Sequence, residues 1–216
     1  HYKAGDGIVD FVGPLGLPQH VSRAGHVVLV GGGLGVAPVY PQLRAFKEAG
    51  NRTTGIIGFR NKDLVFWEET FGRYCDNLIV CTDDGSYGKP GFVTAALQEV
   101  LENDRPDLVI AIGPLPMMNA CVETTRPFHV KTMVSLNAIM VDGTGMCGSC
   151  RVTVGSEIKF ACVDGPDFDG HQVDFKELML RQKRFKGEES KANTDYEHVC
   201  HVEKVLFEQG KTNYKK

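Results

Sequence analysis

The chain has 216 residues, 42% of them hydrophobic and 24% charged, with a formal net charge of -3. That balance belongs to an ordinary globular protein and leaves no basic footprint for nucleic acid. No apolar run reaches the ~20 residues of a membrane span; the longest, Leu108 to Met118, is broken by Gly113, Pro114 and Pro116.

The first residue is His1, and Lys3-Ala4-Gly5-Asp6-Gly7 reads as the middle of a β structure, so a preceding stretch is expected. Ile8 to Val12 alternate as one strand, closed by a turn at Gly13-Pro14-Leu15-Gly16. Alone it is no domain; it reads as the last strand of a barrel.

Strands and helices then alternate. His26 to Val30 is a buried strand ending in glycines. Val39, Leu43 and Phe46 mark a helix over 39–49, with Pro38 and Pro41 in its first turn. Thr53 to Phe59 is a strand, and Leu64 to Tyr74 a helix carrying Trp67. Asn77 to Cys81 is a strand and Phe92 to Leu101 a helix; Leu108 to Ile112 is a strand and Pro116 to Thr125 a helix; Lys131 to Leu136 is the final strand. Five strands alternating with four helices predict an α/β fold, a doubly wound parallel sheet whose ligands bind beyond the strands' carboxyl ends.

From Asn137 glycines and cysteines accumulate. Arg151 to Val154 and Glu157 to Phe160 predict a β-hairpin around Gly155-Ser156, and Val173 to Phe185 a short amphipathic helix. From Gly187 the tail is charged and reads as a flexible or partner-supported extension. The expected units are a barrel remnant (1–22), a dinucleotide-binding domain (23–136), a cysteine module (137–172), and a C-terminal helix with its tail (173–216).

Gly31-Gly32-Gly33-Leu34-Gly35 follows a strand and opens a helix. Glycines let backbone N–H groups approach a pyrophosphate, and a helix N-terminus favours its charge. The competing reading is a tight turn with no ligand. The acid that usually holds a ribose at the end of the second strand is absent; Arg60-Asn61-Lys62 stands there instead. A cation there can meet a 2′-phosphate, a pyrophosphate or solvent, so NAD and NADP both stay open. Two further loops, with Asp83-Asp84 and with Gly113-Pro114 and Met117, fall where the ligand crevice belongs. The first can bond ribose hydroxyls or an amide, the second can wall the nicotinamide; Asp83 and Asp84 are equally suited to capping an ordinary turn.

Seven cysteines are present, and Cys147, Cys150 and Cys162 fall within sixteen residues. A disulfide framework would be shorter and more evenly laced; a metal site in a reducing compartment, the cytoplasm, fits better. A structural zinc usually shows four Cys or His ligands, and only one CxxC pair is present, with His171 suited to a turn. A redox CxxC would not need a third cysteine. The plant-type [2Fe–2S] spacing C-x₄-C-x₂-C with a distant fourth ligand is reproduced by Asp142, Cys147, Cys150 and Cys162, with aspartate first. The competing role for Asp142 is a loop-capping carboxylate. Cys75, Cys81 and Cys121 lie in or beside apolar segments and read as core; Cys200 with His198 and His201 lies in the charged tail.

Asp142-Gly-Thr-Gly-Met-Cys-Gly-Ser-Cys150 and Lys159-Phe-Ala-Cys162-Val-Asp-Gly-Pro resemble the ferredoxin–NADP reductase superfamily over about residues 5 to 186. Within it the chain looks like the small (beta) subunits of NAD(P)H-dependent ferredoxin oxidoreductases, or sulfide dehydrogenases, which are related to the electron-transfer subunits of dihydroorotate dehydrogenase. The dihydroorotate-linked subunits carry cysteine at the first ligand position; Asp142 points to the other branch. The resemblance implies FAD on an N-terminal barrel. The barrel's Arg-x-Tyr-Ser-like motif is absent here, so this stretch is not expected to hold FAD firmly. Ile112 takes the place of a cysteine the superfamily often carries near the nicotinamide. The implied function is electron transfer between NAD(P)H, FAD and a [2Fe–2S] cluster, to or from a larger iron–sulfur flavoprotein subunit and, through the complex, ferredoxin. No catalytic acid or base is required. The alternatives are a dihydroorotate dehydrogenase electron-transfer subunit and a zinc-binding interaction module on a nucleotide-binding domain.

Overall fold

The computed structural model describes residues 5–196. A seven-stranded sheet organises them. Its strands are β1 (His26–Gly32), β2 (Arg52–Phe59), β3 (Asn77–Thr82), β4 (Lys89–Pro90), β5 (Leu108–Ile112), β6 (Lys131–Ser135) and, after the hairpin β7 (Arg151–Val154) and β8 (Glu157–Phe160), β9 (Asp167–Asp169). The order is β4-β3-β2-β1-β5-β6-β9. All pairs are parallel except β6 with β9, which run antiparallel from Met133↔Asp169 to Ser135↔Asp167.

The central strands are apolar on both faces because helices cover both. Val27 and Leu29 of β1 pack with Val36, Leu43 and Phe46 of α1 (Val36–Glu48) and Phe71 of α2 (Glu68–Gly72). Val28 and Val30 point the other way, toward Leu97 of α3 (Val93–Asn103) and Met118, Cys121 and Val122 of α4 (Leu115–Thr125). The second core continues into Cys150, Val152, Ala161, Cys162 and Phe168, and into Phe175 and Leu178 of α5 (Phe175–Gln182). The cysteine-bearing segment thus shares a core with the sheet, and β9 extends that sheet.

Several expectations are corrected. The sheet has seven strands: the five expected ones and the short β4 and β9, whose two and three residues carry no periodic signal. Residues 8–12 form no strand; Ile8, Val9, Phe11 and Val12 are exposed, and nothing among the described residues pairs with them. The stretch behind them is anchored locally, Leu17 N–H donating to Gly165 O at 2.7 Å and Asn51 Nδ2 to Ser22 O at 2.9 Å. The helix expected over 64–74 shrinks to α2. Trp67 sits at φ 60, a left-handed conformation that no α-helix interior accepts, and Leu64 belongs to a separate 3-10 turn. Pro41 lies inside α1, beyond its first turn. The helix expected over 173–185 starts at Phe175, where Asp174 Oδ1 accepts from Glu177 N at 2.9 Å and caps it. The expected flexible or partner-supported tail begins as a helix over residues 186–196, which is compatible with that expectation. His198, Cys200 and His201 lie outside the described residues.

No helix among the described residues is long and apolar enough to cross a membrane.

Candidate functional site: a dinucleotide cleft beside a cysteine-rich loop

Sheet order reverses direction between β1 and β5, so the loops that follow these two strands diverge and leave a crevice. A cleft of about 860 Å³ occupies that place. Gly32, Gly33 and Leu34 line it from the β1 side, and Pro114, Pro116 and Met117 from the β5 side. Arg60 stands at the end of β2 and Asp83 at the end of β3.

The glycine loop is a 3-10 turn, Gly33–Gly35, feeding directly into α1. Its glycines have separate reasons. Gly33 has φ +54 and open space around it, so backbone conformation alone requires it. At Gly35 a Cβ would lie 2.2 Å from Ile112 O, so the start of α1 rests against the end of β5. A Cβ on Gly32 would meet Met117 Sδ at 2.2 Å, and Gly31 is pressed against Val36.

Of the residues expected to bind cofactor, Gly32, Gly33, Leu34, Arg60, Asp83, Pro114 and Met117 line the cleft. Gly31, Gly35 and Gly113 lie behind it and set backbone packing. Asp84 caps its own turn: its Oδ1 accepts from Ser86 N at 2.9 Å and Ser86 Oγ at 2.6 Å, which holds its carboxyl below the usual range. Ser86 Oγ in turn accepts from Lys62 N at 2.8 Å and ties the two loops together. Asn61 Oδ1 is buried without a hydrogen-bond partner.

Sequence reading missed the apolar walls. Leu64, Phe66, Phe92 and Val93 line the cleft, with Leu34 83% and Phe92 68% exposed. Phe66 stacks edge-on with Phe59 and with Trp67, at centroid distances of 5.4 and 5.5 Å. Their only sequence signal is position, just past the ends of β2 and just before α3.

The second part of the site is the loop 142–150 and the hairpin that follows. Antiparallel pairing from Arg151↔Phe160 to Val154↔Glu157 returns Cys162 to Cys150. Their sulfurs are 3.2 Å apart, and both residues are buried, at 2% and 5% exposure. Cys162 N–H donates to Cys150 Sγ at 3.5 Å. The contact with Cys150 pushes the Cys162 thiol above its ordinary value.

Cys147 is exposed, and Ser149 N–H directed at its sulfur holds its thiol below the usual value. Asp142 Oδ1 accepts from Thr144 N and Oδ2 from Cys147 N, each at 2.8 Å. The Thr144 bond leads in keeping the Asp142 carboxyl low. Positive φ at Gly143, Gly145 and Gly148 lets the loop turn this tightly.

Among the described residues no three His, Cys, Asp or Glu side chains converge as a group for a single metal ion. Cys150 and Cys162 bring their sulfurs together, and Asp142 meets Cys147 through the backbone N–H. Thiolates and a carboxylate gathered on one loop and hairpin are the residues that would hold an iron–sulfur cluster. His171 is turned away, its Nε2 donating to Val130 O at 2.9 Å. Arg181, unremarked in the sequence, donates from Nη2 to Ser149 O at 3.2 Å. Burial first, then the charges of Arg151 and Arg184, hold Arg181 below the usual guanidinium value.

Residues 29–123 match the family described as an oxidoreductase NAD-binding domain, and residues 137–174 the iron-sulfur cluster binding domain of dihydroorotate dehydrogenase B. A protein of Thermotoga maritima named dihydroorotate dehydrogenase B (NAD(+)), electron transfer subunit homolog, is 50% identical over 87% of this chain and 66% of its own. A probable electron transfer subunit of the same enzyme from Methanocaldococcus jannaschii is 36% identical over 84% and 69%. Among solved structures, one of an NADH-dependent reduced ferredoxin-NADP oxidoreductase, described in connection with flavin-based electron bifurcation, superposes with TM-score 0.81. It is 47% identical and covers 89% of this chain and 69% of that one. The chain belongs to the family of dihydroorotate dehydrogenase B-type electron transfer subunits, oxidoreductase components that join an NAD-binding domain to an iron–sulfur domain. It spans about two thirds of the length of the relatives it matches.

Proposed function

We propose that this chain carries electrons between a nicotinamide dinucleotide in the cleft and a [2Fe–2S] cluster on Asp142, Cys147, Cys150 and Cys162, within a flavoprotein of the NAD(P)H:ferredoxin oxidoreductase type. The observation that carries the proposal is the common core: Cys150 and Cys162 pack in the same apolar cluster as Val30 and Ala111, whose strands end at the cleft. In this reading the donor and acceptor sites are built on one shared core.

In this reading the loop Gly32–Leu34 presents backbone N–H groups and the start of α1 to the pyrophosphate. Arg60 supplies the positive charge on the cleft wall, and Phe66, Phe92 and Met117 the apolar surface for the rings. Asp83 is placed for hydrogen bonds to hydroxyls. Cys150 and Cys162 form a buried ligand pair, while Asp142 and Cys147 form the pair at the surface. Ser149 and Cys162 N–H groups offset thiolate charge. When bound, the cluster supplies one-electron transfer and a flavin the two-electron-to-one-electron conversion; the protein's share is placement and electrostatics. FAD belongs to the whole protein and is not assigned to this stretch, and a larger iron–sulfur flavoprotein subunit is the proposed partner.

The names of the relatives favour a second reading, an electron-transfer subunit working with a dihydroorotate dehydrogenase. The purified complex separates the two: ferredoxin-linked NAD(P)H oxidation supports the first and dihydroorotate oxidation the second. Anaerobic iron and sulfide analysis with visible spectroscopy tests the common part. A brown protein with two irons per chain is expected; a colourless protein containing zinc refutes it. Redox titration of Asp142→Cys should show a lower potential than wild type, because thiolate donates more charge to iron than carboxylate. An unchanged potential removes Asp142 from the ligand set.

A further inference from the structure

Helix α1 begins at the glycine loop, and β9 follows the cysteine hairpin. A side-chain bond joins the two elements: Gln42 Nε2 donates to Asp167 Oδ2 at 3.2 Å, between residues 125 positions apart. Each partner has a second oxygen, and both are orphaned. Gln42 Oε1 and Asp167 Oδ1 are buried with no hydrogen-bond partner. An ionised carboxylate can only accept, and so can an amide carbonyl, so an ionised Asp167 leaves both oxygens unsatisfied. Buried acceptors without a donor are costly. A single proton on Asp167 Oδ1 supplies the missing donor to Gln42 Oε1. Acid and amide then bind edge to edge through two hydrogen bonds instead of one.

The surroundings favour that proton. Among the described residues no cation forms an ion pair with Asp167. On α1, Arg44 is paired with Glu48 and Lys47 with Asp76, while Tyr40 sits among the rings of Trp67, Phe71 and Tyr74. On β6, Ser135 stands opposite Asp167 in the register, and Lys131 lies at the other end of the strand, exposed. On β9 itself, Asp169 accepts from His171 N–H and Gln172 Nε2, and the His171 ring bonds to Val130 O. Burial is the leading influence on Asp167 and pushes its carboxyl above the usual range; contacts with Ser135 and Gln42 offset this only in part.

We propose that Asp167 is held as the neutral acid near neutral pH and, paired with the Gln42 amide, forms a proton-dependent latch between α1 and β9. The latch fixes the strand that leaves the cysteine module against the helix that opens at the cleft. It stands on these contacts whether or not the cleft and the cysteines serve the function proposed above. A group whose folded pKa is raised contributes stability that is fully present below its unfolded value, ~3.9 for aspartate, and is lost as pH rises through the folded value. The latch therefore loosens in alkali. Strand β9, three residues long at the sheet edge, then keeps only its backbone pairing with β6.

Asp167→Asn keeps the shape of the neutral acid and donates from its amide to Gln42 Oε1 at every pH. Urea melts of the full chain, purified anaerobically, compare it with wild type at pH 5 and pH 9. Its folded-to-unfolded ratio should match wild type within about threefold at pH 5 and exceed it at least about tenfold at pH 9, since each pH unit beyond the folded pKa is worth about tenfold. A carboxylate held ionised gives the reverse, a variant weaker than wild type. That result, or a gap equal at both pH values, overturns the proposal. Infrared spectra of wild type carrying isotopically labelled aspartate need no variant: the carbonyl band of an unionised acid should be present and isotope-shifted at pH 7, and its absence overturns the neutral acid. Hydrogen exchange of the peptide over residues 167–172, corrected for the intrinsic pH dependence of exchange, reads the latch itself. Wild type should lose at least about threefold more protection than Asp167→Asn between pH 7 and pH 9, and an equal loss in both overturns the latch.

Discussion

Replacing Gly35 with alanine tests the geometry of the cleft most directly. A Cβ there would stand 2.2 Å from Ile112 O, 2.6 Å from Ile112 C and 2.7 Å from Gly113 Cα, all backbone atoms. Ordinary contact begins near 3.4 Å, so the overlap is roughly 1 Å, and no flexible side chain can swing aside to relieve it. The start of α1 must lift from the end of β5. Overpacking in a dense interior costs about 1–3 kcal/mol, and a purely backbone clash belongs at the upper end. At about 2–4 °C per kcal/mol for a chain of this size, Tm should fall by about 6–12 °C. Gly33→Ala is the control: it meets nothing within 4 Å and bears only the strain of φ +54, about 1–2 kcal/mol. Thermal unfolding by circular dichroism measures both. If Gly35→Ala melts within 2 °C of wild type, or below it by less than Gly33→Ala does, then the close approach of α1 and β5 described here is wrong.

Other outcomes follow from the same contacts. Leu34→Asp, at a position 83% exposed on the cleft, should weaken NADH binding about tenfold through repulsion of the pyrophosphate while leaving Tm unchanged. The readout is emission from Trp67, the sole tryptophan, which touches Phe66 of the cleft wall; unchanged quenching would place the dinucleotide elsewhere. Burial pushes the Cys121 thiol up to about 12 and the Cys81 thiol to about 11. At pH 8 the native thiolate fractions are thus of order 10⁻⁴ and 10⁻³, and peptide mass spectrometry should find both unalkylated by iodoacetamide until the protein unfolds. Lys47, donating to Asp76 at 2.5 Å, and Thr53 N–H at 2.8 Å hold the Asp76 carboxyl below the usual range. A depressed carboxylate stabilises the fold above its unfolded pKa of ~3.9, and that contribution is lost as pH falls through the folded value. Asp76→Asn should therefore be less stable than wild type by about 1 kcal/mol at pH 7, with the gap closing toward pH 3. A gap that stays constant in urea melts at both pH values would contradict the pairing.

Much of this protein was written in residue order. Apolar runs marked the long strands, two of them (His26–Val30 and Leu108–Ile112) closed by glycine, because a strand covered on both faces needs no polar alternation. The spacing of Asp142, Cys147, Cys150 and Cys162 marked the loop, because a hairpin between Cys150 and Cys162 can only return one to the other. Partnership across the chain was not written there. Strands β4 and β9 are too short to show a period and exist only because β3 and β6 offer open edges. Asp142 is bound by Thr144 and Cys147 backbone groups that spacing cannot orient. The loss of helix before Glu68 rests on one residue, Trp67, held at positive φ between Tyr40 and Phe66. The apolar walls of the cleft, the shared core beneath cleft and cysteines, and the meeting of Arg151, Arg181 and Arg184 come from segments distant in sequence. A one-dimensional pattern records what each segment can become; which segments touch is settled when the sheet's two faces are covered and the loops at its ends are left facing one another.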